Sequence, residues 1–152
     1  MEDFVLSVRN LSTVYDTGES IVHAVRDVSF DLKPTERLGI VGESGSGKSA
    51  LALSILGLIE PPGRVAEGEI VLAGRDISKL SDRELGTIRG KEISLVLQDP
   101  STALDPVKTI GAQIVEAIAA HEPGLRRAAA RKRAAELLRE VDISQAERRL
   151  DD

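Results

Sequence analysis

The sequence predicts an α/β fold built around a glycine-rich loop, and three observations lead to that conclusion. Residues 38–41, Leu-Gly-Ile-Val, form a short apolar run that is typical of a buried parallel strand. Residues 42–49 match the phosphate-binding pattern G-x-x-x-x-G-K-[ST] at every fixed position. Residues 50–59 are apolar enough for a helix packed on a sheet. Strand, glycine loop and helix thus follow one another in the order that a phosphate-binding loop requires.

The loop at residues 42–49, called the P-loop below, has the chemistry of an anion site. Its glycines are expected to take positive φ, so that backbone N–H groups turn inward at a helix N-terminus. Lys48 is expected to reach the β- and γ-phosphates of a nucleotide, and the Ser49 hydroxyl to bind the bridging Mg²⁺. The alternative is a Gly/Ser turn followed by an ordinary surface lysine, which the flanking strand and helix patterns disfavour. The predicted nucleotide-binding set is Gly42, Glu43, Ser44, Gly45, Ser46, Gly47, Lys48, Ser49 and Ala50.

Composition narrows the possible functions. A chain of 152 residues can form one domain or part of a larger one. Its net charge of −5 argues against bulk nucleic-acid binding, and the lack of cysteine excludes disulfides, thiolate zinc sites and cysteine nucleophiles. A metal site built from histidines is not expected, because the chain has only two histidines. No apolar run is long enough to span a membrane, so any membrane contact is expected to come through a partner.

Strand patterns lie on both sides of the P-loop. Alternating apolar residues predict antiparallel strands at residues 4–8 and 22–32, and a further strand at residues 68–73. Ser81 and Glu84 have the spacing of a capping box, which opens a short helix ending at residues 89–90. The apolar run at residues 93–97 predicts a buried strand that ends at Gln98.

Helical patterns follow two turn signals, Asp99-Pro100 and Asp105-Pro106. The first helix carries a stripe of Ile110, Ile114, Ala117 and Ile118, and His121 lies on the same side as a half-buried residue without a catalytic role. The basic run at residues 126–133 is expected to be mostly a solvated helix face. The opposite face of that second helix carries Ala130, Ala134, Leu137, Leu138 and Val141.

Together, Tyr15, residues 24–30, the P-loop and residues 97–100 resemble the ATPase subunit of ATP-binding-cassette (ABC) transporters. The resemblance covers essentially the whole chain. It implies an α/β P-loop NTPase fold, with an N-terminal antiparallel β region at residues 1–35, a P-loop core at 36–98 and the start of a helical subdomain at 99–152. Three tracts look most like the branch that imports dipeptides and oligopeptides, namely residues 39–44, 80–85 and 102–106.

The resemblance also implies roles for two residues outside the P-loop. Tyr15 corresponds to the aromatic residue that stacks on adenine; the alternative is a strand residue packed in the sheet. Gln98 corresponds to the glutamine whose amide contacts Mg²⁺ or the attacking water, and the alternative is a solvated strand cap. Lys48 and Gln98 are thus the predicted catalytic residues, with ATP and Mg²⁺ as cofactors. Departures from the family are small: Leu97 stands where Phe is usual, and Thr35 where Gly is usual.

Three motifs of the family are absent from this sequence. It has no two adjacent glycines for the Leu-Ser-Gly-Gly-Gln type signature loop and no Asp-Glu dipeptide for the Walker B strand. His121, within a helical pattern, does not suit the switch histidine. We therefore expect an incomplete cassette, the N-terminal part, with an unpaired sheet edge and exposed apolar surface. Such a chain is expected to bind ATP but not to hydrolyse it alone.

The resemblance implies an ATP-binding subunit of an ABC importer whose solute is a peptide, with nickel or another solute left open. Its expected partners are membrane-spanning permease subunits and a second ATPase subunit, identical or homologous, and nucleic acid is not among them. The expected location is the cytoplasmic face of the cell membrane, reached only through those partners. Two alternatives remain open: a small P-loop kinase with its Walker B function at residues 95–99, and a non-catalytic remnant of the cassette.

Overall fold

The computed structural model describes residues 4–98 and 103–152, which form two compact units. The first ends at Ser94 and combines a sheet with two helices, and the second begins at Leu95 and is helical. The predicted turn at Asp99-Pro100 lies outside the described residues.

The sheet of the first unit has four antiparallel strands in the order β2-β1-β3-β4. The strands are β1 (Leu6–Asp16), β2 (Ile21–Leu32), β3 (Gly63–Leu72) and β4 (Arg75–Asp76). The strand predicted at residues 4–8 is present from Leu6 onward as part of β1, and the strand predicted at residues 22–32 is part of β2.

Strand β3 begins five residues earlier than the predicted start at Gly68. The reason is its pairing with β1, which extends as far as the cross-strand pair of Tyr15 and Gly63. Beyond β3, Ala73 and Gly74 adopt φ values of 47° and 82° and turn the chain into β4, a strand that the sequence did not predict. Positive φ at both central residues is typical of a tight two-residue hairpin.

The P-loop leads into helix α1 (Lys48–Ile55), which ends four residues before its predicted end. Gly57 stops the helix by adopting a left-handed conformation with φ 63°. Two backbone bonds complete a Schellman motif, from Leu58 N–H to Leu53 O at 2.8 Å and from Gly57 N–H to Ser54 O at 3.1 Å. Leu51 and Ile55 of α1 pack into the apolar core of this unit with β1 and β3 residues.

Helix α2 (Asp82–Ile88) begins with the capping box that the sequence predicts. The Ser81 hydroxyl accepts from the Glu84 N–H, and the Glu84 carboxylate accepts from the Ser81 N–H at 2.8 Å. The Ser81 hydroxyl also donates to that carboxylate, and these bonds lower the pKa of Glu84.

The two buried strands predicted at residues 38–41 and 93–97 do not form. Residues 38–41 have no regular secondary structure, and Val41 is 93% exposed. Residues 93–97 likewise form no strand: Ile93 makes a single bridge to Arg89, and Val96 is 92% exposed. A parallel strand needs paired neighbours and covered faces, and none of the described residues pairs with residues 38–41 in this way. The expected exposed apolar surface is therefore present at both segments.

The second unit consists of α3 (Ile110–His121), α4 (Arg127–Glu140) and the short α5 (Ala146–Arg149), which the sequence did not predict. His121 is half-buried at the last position of α3, as predicted. Val141 is 66% exposed and does not join the buried face, because α4 ends one residue before it. The core is formed by Ala134, Ala135, Leu138, Ala146 and Leu150, with Ile114, Val115 and Ile118 packed against it.

The N-terminus of α3 is tied to the end of the chain by backbone bonds. Gly111 N–H donates to Leu150 O at 2.8 Å, and Ile110 N–H donates to Asp152 O at 2.9 Å. A Cβ at Gly111 would lie 2.6 Å from the Leu150 oxygen, so glycine is needed for this approach. Within the part of the chain that the structure describes, no helix has the length and apolar character to cross a membrane.

The contact at Gly111 can be tested by Gly111→Ala, which should lower the free energy of unfolding by about 1–3 kcal/mol because the methyl group would overlap a backbone oxygen. Gly86→Ala is the matched control, since Gly86 lies inside α2 with nothing within 4 Å of its absent Cβ. That control should raise the free energy of unfolding by about 0.5–1 kcal/mol. Urea denaturation followed by circular dichroism measures both, and a Gly111→Ala variant as stable as the parent would contradict the contact.

A second prediction concerns Asp76, whose carboxylate accepts the Ser78 hydroxyl at 2.6 Å and the Ser78 N–H at 2.9 Å. These bonds lower the pKa of Asp76, and the bond from the Ser78 hydroxyl has the largest effect. They therefore stabilise the folded chain above about pH 4, the unfolded value, and this contribution is lost as pH falls through the lowered pKa. In Ser78→Ala the pKa should move up toward its ordinary value, whereas Lys79→Ala should change it less. NMR titration of the Asp76 carboxyl carbon measures the shift, and an unchanged value in Ser78→Ala would count against it.

Candidate phosphate-binding site

The P-loop backbone turns at the N-terminus of α1, where Ser46 N–H donates to Glu43 O at 3.2 Å. Gly45 and Gly47 adopt φ values of 80° and 93°, as predicted for a loop whose N–H groups turn inward. Gly42 does not adopt positive φ, so that part of the prediction was wrong. A Cβ on Gly42 would lie 2.7 Å from the Ser46 hydroxyl oxygen, so a larger residue there would have to displace the Ser46 side chain.

Gly47 is the N-cap of α1 and brings the helix against the sheet. A Cβ at this position would lie only 2.1 Å from the backbone oxygen of Ala24 in β2. No side chain caps the helix. The first N–H groups of a helix have no partner within it, so those of α1 are available to an anion.

The Lys48 ammonium is held inside the P-loop. Its Nζ donates to Gly42 O at 2.9 Å, to Glu43 O at 2.7 Å and to the Ser46 hydroxyl at 3.3 Å. These three acceptors match the three N–H donors of an ammonium group. The lysine therefore closes the loop on itself and places a positive charge beside the N-terminus of α1.

Ser49 and Ala50 complete the first turn of α1. Ser49 is exposed, so its hydroxyl is free to approach a ligand, whereas Ala50 is half-buried against the core. A hydroxyl oxygen suits Mg²⁺, a hard cation that prefers oxygen ligands. The described residues contain no group of three or more His, Cys, Asp or Glu side chains that could hold a metal alone. A magnesium ion here would thus depend on oxygens of its ligand and of water.

A buried pair of hydroxyls, missed by the sequence reasoning, joins α1 to β1. The hydroxyl of Ser54 donates to Ala50 O at 2.6 Å and accepts from the Thr13 hydroxyl at 2.6 Å. Both side chains are fully buried. The signal in the sequence was Ser54 itself, the single polar residue in the apolar stretch 50–59.

A cavity of about 690 Å³ lies beside the P-loop. Strand β2 forms one wall, and residues 38–41, Gly47, Lys48 and Leu51 form the other. His23 and Arg26 of β2 are among the residues that line this cavity. The sequence reasoning did not select either of them.

Tyr15 lies near the end of β1 and does not line this cavity. Its ring edge lies close to Gly63, since a Cβ on that glycine would be 2.6 Å from the ring carbon Cε1. A methyl carbon of Ile59 is equally close to the same point. Tyr15 is half-buried by these neighbours, so its stacking on adenine stays a prediction.

Gln98 belongs to the second unit, whereas the P-loop belongs to the first. It is exposed and lies in a bend. Its predicted contact with Mg²⁺ or water therefore also stays a prediction.

The match to known proteins assigns this site to a class. The family described as ABC transporter matches residues 25–152, which is most of the chain. The chain therefore belongs to the ABC transporter family, as the resemblance implied. This assignment disfavours the alternative of a small P-loop kinase.

Individual relatives agree with this class. The chain is 44% identical to a dipeptide transport ATP-binding protein, DppD, of Lactococcus lactis over 99% of its length, and 44% identical to an oligopeptide transport ATP-binding protein, OppD, of Bacillus subtilis over 97%. Among solved structures, it is similar to the ATP-binding cassette MJ0796 in a dimeric, post-hydrolysis state bound to ADP and Pi. That similarity has a TM-score of 0.75 and 27% identity, and covers 96% of this chain.

The chain is shorter than these proteins. It spans 43% of the length of the dipeptide relative, 41% of the oligopeptide relative and 60% of the solved cassette. The expectation that the sequence covers only part of a cassette is therefore confirmed.

The close approach of Gly47 to β2 gives a testable difference between two P-loop glycines. Gly45→Ala should lower the free energy of unfolding by about 1–2 kcal/mol, the cost of a left-handed non-glycine residue, because nothing lies within 4 Å of its Cβ position. Gly47→Ala has the same backbone cost and also overlaps the Ala24 oxygen, which adds a further ~1–3 kcal/mol. Thermal or urea unfolding of the two variants measures the difference, and equal losses would show that α1 does not approach β2 this closely.

Proposed function

We propose that this chain binds ATP with Mg²⁺ at the P-loop, as part of the ATP-binding subunit of an importer for peptides. The proposal rests on one observation. In this member of the ABC family, the P-loop closes around the Lys48 ammonium at the N-terminus of α1, which no side chain caps. Positive charge and free N–H groups at one point favour a polyphosphate ligand. The ADP and Pi bound to the similar solved cassette support the same ligand class.

The P-loop residues have distinct roles in this proposal. Lys48 exchanges bonds to loop carbonyls for bonds to the β- and γ-phosphates, and the N–H groups around Gly47 bind phosphate oxygens. The Ser49 hydroxyl provides one oxygen ligand to Mg²⁺, which neutralises phosphate charge when it is bound. Tyr15 contacts the adenine, and Gln98 approaches the metal or water when the subunit is assembled.

Hydrolysis is proposed for the assembled cassette. This sequence has no Asp-Glu dipeptide to supply the carboxylate that polarises the attacking water. A second ATPase subunit is the proposed source of the groups that close on the nucleotide, and the dimeric form of the solved cassette supports such an assembly. Of the two remaining interpretations, we favour ATP binding by this chain over a non-catalytic remnant that binds nucleotide weakly or not at all, because the P-loop closes around the Lys48 ammonium.

The importer assignment rests on the names of the relatives, which are dipeptide, oligopeptide and peptide ATP-binding proteins. Permease subunits are the proposed membrane partners, and contact with them places the chain at the cytoplasmic face of the cell membrane. The three regions proposed for the chain are the antiparallel β region at residues 1–35, the P-loop core at 36–98 and the start of the helical subdomain at 99–152.

Isothermal titration calorimetry with Mg·ATP tests the binding step. The full 152-residue chain should bind, and Lys48→Ala should weaken binding by about tenfold or more, since bonds to charged groups contribute about 1.5–3 kcal/mol each. Lys132→Ala is the matched control because Lys132 is an exposed lysine on α4. It should leave the affinity unchanged.

Two results would contradict the proposal. If titration of the folded parent chain gives no heat of binding, the chain is a non-catalytic remnant. Equal affinity of Lys48→Ala and the parent would show that the nucleotide binds elsewhere.

A further inference from the structure

The C-terminal end of α1 is held by the guanidinium of Arg89, which follows α2. Its Nε donates to Leu56 O at 2.7 Å and its Nη2 donates to Gly57 O at 2.7 Å. Its Nη1 donates to the Asp82 carboxylate at 2.8 Å. All three nitrogens of the guanidinium are thus used, two on the end of α1 and one on the first turn of α2.

The surroundings of Arg89 are built to accept this side chain. The Arg89 side chain is 21% exposed, so most of its length is covered. A Cβ on Gly57 would lie 2.6 Å from Leu85 Cδ1 and 3.2 Å from Arg89 Nη2. Glycine at position 57 therefore both ends the helix and leaves room for the guanidinium.

The charge of Arg89 is also placed favourably. The carbonyl groups at a helix C-terminus carry partial negative charge, and a cation there stabilises the helix. Asp82 fixes the third nitrogen and so orients the plane of the guanidinium. A lysine in its place could offer only a point charge without this forked geometry.

Helix α1 has only eight residues, so it is about 12 Å long from end to end. A helix this short is not stable by itself, and its direction is set by the contacts that hold it. Gly47 holds the N-terminal end against Ala24, Ser54 bonds to Thr13 along its length, and Arg89 holds the C-terminal end. A shift of the C-terminal end would therefore tilt the turn that carries Lys48 and Ser49.

We infer that Arg89 is a positioning residue for phosphate binding: it fixes α1 from the end opposite to the P-loop, and so sets the direction of the N–H groups and of Lys48. This inference rests on the proposed function, because it concerns the affinity of the same site. Arg89 touches no ligand, and its effect passes through the helix.

The test compares Arg89→Ala, Arg89→Lys and the parent chain for binding of Mg·ATP and of inorganic triphosphate. Affinities are measured at a temperature where circular dichroism shows each variant to be folded. Arg89→Ala should weaken both ligands by the same factor, about five- to tenfold, because the bonds lost are charge-assisted and the phosphates are common to both. The affinity of Arg89→Lys should lie between the affinities of the parent and of Arg89→Ala. Arg83→Ala removes an exposed arginine of α2 and should bind as the parent does.

A second readout separates positioning from general destabilisation. Millimolar guanidinium chloride should partly restore triphosphate binding in Arg89→Ala, whereas the same concentration of sodium chloride should not. Parent-like affinity in folded Arg89→Ala, with the parent binding both ligands, would overturn the inference and leave the proposed function standing. Failure of the parent to bind either ligand would overturn both. Arg89→Lys keeps the test decisive if Arg89→Ala does not fold.

Discussion

The site depends on one close contact, the approach of Gly47 to the backbone oxygen of Ala24. The missing Cβ lets α1 start directly on β2, with its first N–H groups at the edge of the sheet. The same residue supplies the left-handed conformation that turns the P-loop into the helix. Two requirements, space and positive φ, thus fall on one position. Either alone would favour glycine, and together they leave no other residue that fits without moving the helix.

The antiparallel sheet and the parallel strands differ in what they need from the chain. Strands β1 and β2 form a hairpin with a short turn, and β3 pairs on the other side of β1, so each ladder is completed by the described residues. Residues 38–41 and 93–97 have the apolar composition of buried parallel strands but no such partners. Composition alone therefore does not make a strand. Without such pairing, apolar side chains such as Val41 and Val96 are left exposed.

Features set by local chemistry were predictable from the sequence, and features set by tertiary contact were not. The capping box of Ser81 and Glu84 appears as predicted because its hydrogen bonds span only three residues. The P-loop was recognisable because its function fixes residue types at fixed spacing. The end of α1 at Ile55, where Gly57 stops the helix, was not predicted because the apolar pattern continues past that glycine. The bonds from Arg89 to residues 56 and 57 join parts of the chain more than thirty residues apart, so no local pattern could indicate them.

The anion site is therefore a property of the packing of α1 and not of the helix alone. Two turns of helix contribute little stability by themselves, so the N–H groups point to one place only while the contacts at both ends and along the helix persist. A phosphate ligand that binds this arrangement stabilises those contacts in return, because binding and folding share one equilibrium. In the proposed complex, the three loop acceptors of Lys48 would compete with the phosphates for the same ammonium, although they also hold the loop closed without a ligand. The proposed affinity is then the difference between bonds to phosphate and bonds already made within the loop, and we propose that the direction of α1 sets how favourable that exchange is.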